Sequence, residues 1–191
     1  MRDSALFKQD LVKDMLFAIG EVEREGLAET PERVVKAWKH YFSGYDKDPA
    51  ELLKTFADGA EGVDEMVLVK DIPFYTHCEH HIAPFWGLAT VGYIPNQSIV
   101  GLSKLNRLVD LFGRRLQVQE RLTNQIADAL DNVLKPRGVG VLVRARHMCI
   151  ESRGVSQRGT VTVTSALRGA IKEEDSARAE FLNLAQSDTF I

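Results

Sequence analysis

The chain has 191 residues, 45% hydrophobic and 27% charged, which suits one domain with a real core and excludes disordered or fibrous classes. A net charge of −3 argues against a generic nucleic-acid binder, although local charge can still hold a small anion. The N-terminus MRDSALFKQDLVKDM is charged throughout and lacks an apolar secretion segment, so the expected compartment is the cytoplasm, with no nucleic acid and no membrane as partner.

Phe7, Leu11, Met15 and Ile19 recur at helical spacing, and Gly20 suits a helix stop. ETPERVVKAWKHYF predicts a second helix, with Thr30 as N-cap, Pro31 in the first helical position, and Val34, Val35, Trp38 and Phe42 as its apolar stripe. These segments define an N-terminal helical region, residues 1–60, ahead of a larger domain, residues 61–191. MVLVKDI (66–72) and WGLATVGYI (86–94) read as strands. The uncharged run from Ile82 to Ser103 is long enough for a membrane span, but Pro84, Pro95, Asn96, Gln97 and its glycines make it strands and turns. GLSKLNRLVDLFGRRL (101–116) and VQERLTNQIADALDNVL (118–134) are helical, the second ended by Lys135-Pro136-Arg137-Gly138. GVGVLVRARHMCI (138–150) and TVTVTSAL (160–167) are strand-like, and DSARAEFLNLA (175–185) is a closing helix. This order predicts an α+β domain with helices on one face of an antiparallel sheet.

The chemistry concentrates in HCEHH, residues 77 to 81. Three of the five histidines and one of the two cysteines fall there. Cys78 and His81 stand in a C-x-x-H spacing, which lets one tight turn present two ligands to one ion; thiolate plus imidazole favours zinc over calcium or magnesium. A third ligand is needed, and Cys149 is the other cysteine. If 138–150 is one strand, alternation puts His147 and Cys149 on a common face. Three protein ligands would leave a fourth position for water, as catalytic rather than structural zinc sites do. His80 and His147 would then be free imidazoles beside it. The residues alone leave alternatives open: Cys149 also reads as a small buried hydrophobe, a Cys78–Cys149 disulfide is conceivable, and His77 reads as a neighbour of the site or an exposed residue.

In GLSKLNRLVDLFGRR, at about 100° per residue, Leu105, Leu108, Val109, Phe112 and Leu116 form a buried stripe, and Ser103, Lys104, Arg107 and Arg114 gather on the opposite side. That side is either a solvated basic face or a phosphate site built from Arg forks and a Lys charge. No G-x-x-x-x-G-K-[ST] loop is present, so a bound nucleotide is not held by a P-loop. Gln119 and Glu120 open the next helix; a carboxylate there suits the helix dipole, and equally could accept hydrogen bonds from purine N–H groups. Arg153, in ESRG, is a turn residue or a further anion contact.

CEHH followed by PFWG, then GYIPN, GLSKLNRLV, RRLQVQERLTNQIA, HMC, RG and TVTS, with REGLAETPERVVKAW upstream, resemble the GTP cyclohydrolase I family in order and spacing over roughly residues 15 to 185. The resemblance implies a catalytic zinc, one per subunit, held by Cys78, His81 and Cys149. It implies that zinc-activated water attacks carbon 8 of GTP, formate leaves, and the ribose rearranges to give 7,8-dihydroneopterin triphosphate, the opening step of folate and pterin biosynthesis. By the same resemblance His80 is the acid–base partner at the imidazole ring and His147 a second proton relay. Ser103 serves the later ribose rearrangement. Lys104, Arg107 and Arg153 are implied triphosphate ligands, and Gln119 and Glu120 the guanine-recognising pair. The implied architecture is the tunnelling fold, a small antiparallel sheet backed by two long helices. The implied assembly is a homodecamer of two pentameric rings, with sites between subunits. His77 and the stretch SQRGT (156–160) depart from the family pattern, which touches only the mouth of the site.

Two other readings compete. A non-catalytic assembly protein with a structural zinc needs a fourth protein ligand, from His77 or His80, and has no use for His147, Ser103 and Glu120. Another enzyme of the same fold, acting on a pterin or purine without the triphosphate, has no use for Lys104, Arg107 and Arg153.

Overall fold

The structure, a computed structural model, describes residues 8–21 and 24–187. In chain order the elements are α1 (Gln9–Ala18), a 3₁₀ turn (Glu25–Leu27), α2 (Thr30–Tyr41), a second 3₁₀ turn (Ser43–Asp46), α3 (Pro49–Leu52), β1 (Thr55–Phe56), β2 (Val67–Cys78) and β3 (Pro84–Ile94). There follow β4 (Ile99–Val100), α4 (Leu102–Gly113), β5 (Leu116–Gln117), α5 (Gln119–Leu134), β6 (Gly138–His147), α6 (Met148–Glu151), β7 (Thr162–Gly169), α7 (Ala170–Glu173) and α8 (Asp175–Gln186). The expected mixed α+β class is what forms.

The main sheet has the order β5-β2-β3-β6-β7. Every neighbour pair is antiparallel except β2 with β5, which is parallel. The sheet is therefore not purely antiparallel, because α4 carries the chain back along β2 before β5 joins its edge. Alternation assigns the faces. Phe85, Ala89, Val91 and Tyr93 of β3, and Val139, Val141, Val143 and Ala145 of β6, point into one core with Leu105, Leu108, Val109 and Phe112 of α4 and Leu122, Ile126 and Leu130 of α5. The stripes expected on these two helices are buried as patterned, except that α4 stops at Gly113 and Leu116 belongs to β5.

Helices are not confined to one face. Ile94 and Leu142 point to the reverse side, where Ile171, Ala177, Phe181 and Ala185 of α7 and α8 cover one end of the sheet. The close approach depends on glycine: a Cβ at Gly140 would stand 2.7 Å from the Phe181 ring, and one at Gly92 would stand 3.3 Å from it.

Other boundaries move for identifiable reasons. The strand expected at 66–72 continues to Cys78, because β3 offers partners as far as His77↔Pro84. The strand expected at 138–150 stops at His147. Phe85↔His147 is its last pair, and beyond Pro84 there is no strand for Cys149 to join. The backbone winds into α6 instead, with the Ser152 N–H donating to Met148 O at 2.9 Å. Alternation along a strand therefore does not place Cys149. α2 starts one residue early, with Glu29 at the cap and Thr30 already helical. On α1, Val12 is buried while Leu11, Met15 and Ile19 are exposed; Phe7 lies outside the described residues. No helix among the described residues is long and apolar enough to cross a membrane.

Phe181 is fully buried against the two glycines. Phe181→Ala should cost about 3–5 kcal/mol, the usual range for emptying an aromatic site. Chemical denaturation at fixed protein concentration checks it; a loss under about 1 kcal/mol would show that α8 is not part of the cooperative unit.

Candidate metal centre

β2 and β3 are joined by a short loop that starts at Cys78. The Cys78 N–H donates to Ala83 O at 2.8 Å, and the Ile82 N–H donates to Cys78 O at 2.8 Å. Closing it puts Ile82 at φ 53°, a left-handed conformation that a β-branched residue adopts only under constraint. The loop folds His81 back until its Nδ1 lies 3.9 Å from Cys78 Sγ. Glu79 fastens the loop to the helix side. Its N–H donates to Gln117 O at 2.9 Å. Its carboxylate takes both arms of Arg121, with Nη2 donating to Oε1 at 3.0 Å. The Arg121 guanidinium holds the Glu79 carboxyl below the usual range.

His77 is neither ligand nor surface group. Its ring packs 4.8 Å from Tyr41 and 5.6 Å from Phe42, tying the end of α2 to the strand that delivers Cys78. Burial lowers its pKa, and the charge of Arg114 adds to the effect.

Cys149 arrives on the first turn of α6. Glu151, buried, braces that turn through Arg146, whose Nε donates at 2.8 Å and Nη2 at 2.6 Å while its guanidinium sits 5.8 Å over Trp86. The ligand atoms of Cys78, His81 and Cys149 all lie within 4.8 Å of one another. Both cysteines are free thiols. Burial pushes the Cys149 thiol up, the Cys78 thiol adds to this, and Arg153 opposes it. A cation among these donors is the natural counter-charge for two thiolates, and two sulfurs plus an imidazole fit zinc.

Two more imidazoles stand by. His80 is exposed, with Nδ1 3.8 Å from Cys78 Sγ. The His147 ring stacks on Phe85, 4.4 Å between centroids and 10° between planes. Its Nε2 lies 2.8 Å from Gln119 Oε1. Burial lowers the His147 pKa; exposed Glu120 is near enough for its charge to raise it.

The remaining expected site residues divide. Cys78, His80, His81, His147, Cys149, Gln119, Glu120 and Arg153 gather at one end of the sheet. Ser103 and Lys104 do not join them. Leu116 pairs with His77, so the C-terminal end of α4 is at the metal loop. The N-terminal end of α4 follows β4, where the Val100 N–H donates to the hydroxyl of Tyr93, at the far end of β3. Ser103 and Lys104 thus stand roughly a helix length away, about 18 Å at 1.5 Å per residue. Arg107 is exposed midway along. Arg114 ion-pairs with Asp110 at 3.0 Å, outside any basic cluster with Lys104.

Sequence reasoning missed Glu79, Arg121 and Phe85. Glu79 lies within HCEHH, but its partner is 42 positions away, and no local spacing announces such a pair. A large cavity between α1 and α2, lined by Leu16, Phe17, Leu27 and Pro31, contains none of the site chemistry.

Two sulfurs and an imidazole converging on one point, with two further imidazoles close by, define a site that could hold a metal ion. The profile of the family described as GTP cyclohydrolase I matches residues 8–186. The protein named GTP cyclohydrolase 1 of Janthinobacterium sp. (strain Marseille) is 60% identical over 173 residues, covering 90% of this chain and 87% of that protein. Those of Nitrosospira multiformis and Wolinella succinogenes are 58% identical (91% of each chain) and 50% identical (95% and 97%). Among solved structures, the archaeosine synthase QueF-Like in its apo form reaches a TM-score of 0.44 at 19% identity over 55% of this chain and 93% of that one, too slight a likeness to argue from. The chain belongs to the GTP cyclohydrolase I family.

If Cys149 is a ligand, Cys149→Ser should lose stoichiometric zinc while keeping its far-ultraviolet circular dichroism, because Cys149 is only partly buried at the edge of the core and serine is nearly isosteric. Metal analysis after dialysis is the check, and full retention of zinc would remove Cys149 from the ligand set.

Proposed function

We propose that this chain hydrolyses the imidazole ring of GTP, releasing carbon 8 as formate and yielding 7,8-dihydroneopterin triphosphate. The observation that carries the reading is the convergence of Cys78, His81 and Cys149, with ligand atoms within 4.8 Å, in a chain of this family. Cys78, His81 and Cys149 would hold a zinc ion, which would supply Lewis acidity at neutral pH. His80, on the exposed lip of the loop, exchanges protons with the ring being opened, and His147 is the second proton carrier. Glu120 accepts hydrogen bonds from the guanine N–H groups, with Gln119 beside it. Lys104, Arg107 and Arg153 bind the triphosphate, Arg through its planar fork and Lys as a point charge. Ser103 serves the ribose rearrangement that follows ring opening.

We further propose a tunnelling-fold homodecamer, with residues 61–191 as catalytic domain and 1–60 as its N-terminal helical region, working in the cytoplasm, where free thiols persist. The separation of Ser103 and Lys104 from the metal loop supports shared sites: one chain presents the metal and guanine end with Arg153, its neighbour Ser103 and Lys104. Open sheet edges at β5 and β7, and exposed Tyr75, Leu88 and Val163, also favour assembly.

Purified protein should release formate from GTP, lose that activity on chelation, and regain it with zinc at about one ion per chain. Tightly held zinc with no formate would favour the structural-zinc reading instead. Subunit mixing tests the shared site. Cys149→Ser and Lys104→Ala chains, each inactive alone, should recover formate release when unfolded together and reassembled. No recovery from properly assembled mixtures would mean that each site is built within one chain.

A further inference from the structure

Gln119 is 2% exposed at the start of α5, and its side chain is engaged entirely within the chain. Its Nε2 lies 3.1 Å from Val143 O, 3.0 Å from Thr162 O and 3.1 Å from Thr164 Oγ1. Backbone carbonyls only accept, so the amide group facing them is the NH₂. The amide oxygen is thereby turned to His147, 2.8 Å from its Nε2. An amide oxygen also only accepts, so the hydrogen between them belongs to His147 Nε2. The neutral ring then has its free lone pair on Nδ1.

The surroundings hold this arrangement on both sides. The Thr123 hydroxyl donates to Gln119 O at 2.8 Å, and Thr164 Oγ1 lies 2.6 Å from Thr123 Oγ1. With Thr123 donating to the carbonyl, Thr164 donates to Thr123 and its oxygen is free to accept from Gln119. The hydroxyls and the amide form one directed chain in which every hydrogen has an acceptor. On the other side, fully buried Phe85 holds the imidazole plane by stacking at 4.4 Å.

We propose that Gln119 is a positioning residue for His147: it fixes the orientation of the imidazole and its Nε2–H tautomer, leaving Nδ1 as the nitrogen with a free lone pair. The proposal rests on the reading of His147 as a proton carrier for GTP. It also shifts the division of labour at the guanine end. An amide committed to two carbonyls, a hydroxyl and an imidazole has little left for a base, so side-chain recognition of guanine falls to exposed Glu120.

The test is ¹⁵N magic-angle-spinning NMR on zinc-loaded, ¹⁵N/¹³C-histidine-labelled full-length protein, with the His147 signals assigned by their loss in His147→Asn. The expected result is a protonated nitrogen bonded to Cδ2, which is Nε2, and a bare nitrogen bonded to Cγ. Protonation at the nitrogen bonded to Cγ, or a mixture of the two forms, would overturn the proposal whether or not the protein turns over GTP. Conversely, a wild-type protein that releases no formate would sink the functional reading and leave the tautomer assignment to the spectrum. Kinetics of Gln119→Met then separate positioning from substrate contact. Loss of positioning should lower kcat for formate release about 10²-fold, the lower range for general acid–base catalysis, with little change in KM. A raised KM at unchanged kcat would assign Gln119 to guanine instead.

Discussion

The register of the three central strands is the constraint on which the rest depends. His77 pairs with Pro84, and Phe85 pairs with His147. Together these pairings set Cys78, the stacking surface for His147, and the start of α6 at the same end of the sheet. A slip of one residue would reverse every side chain across the sheet. Cys78 would leave the core side, His147 would leave Phe85, and Val91, Val141 and their neighbours would face away from α4 and α5. The packed apolar face therefore enforces the geometry of the metal centre, and Cys78 is itself part of that face, with Cys149 packed against it.

Around that register, the site is braced by contacts that run between elements rather than along them. Arg121 reaches from α5 to Glu79 in the metal loop. Arg146 reaches from β6 to Glu151 in α6 and lies over Trp86 of β3. His77 is packed against Tyr41 and Phe42 at the end of α2. The Glu79–Arg121 pair is solvent-screened and adds little to global stability. Its effect is local: it limits how far the loop can move while Ile82 holds an unfavourable backbone conformation.

The two imidazoles beside the metal loop differ in their surroundings. His147 is half-buried, stacked and hydrogen-bonded, so its orientation is set before substrate arrives. His80 is exposed beside Cys78 and can adjust to the ring it meets. One imidazole is thus preorganised and the other is free to adjust. Ser103 and Lys104 sit at the other end of α4, so within one chain they are remote from the metal loop.

HCEHH could be recognised as a metal loop because both ligands lie within one turn, and the α4 and α5 stripes because helical periodicity depends only on neighbours along the chain. The family motifs were legible for the same reason. Placement of Cys149 was not. The sequence suggested a strand through residue 150, and the strand ended at His147 because its partner β3 ended at Pro84, a fact of pairing between segments far apart. The roles of Glu79, His77 and Gln119 were hidden likewise, since their partners lie at Arg121, at Tyr41 and Phe42, and at Val143, His147, Thr162 and Thr164. By itself the sequence determined which residues could carry the chemistry and which local elements would present them. Only the tertiary structure decided which of those residues meet, because pairing register and close packing are set by contacts across the sheet, and no local pattern encodes a distance between segments that are remote in the chain.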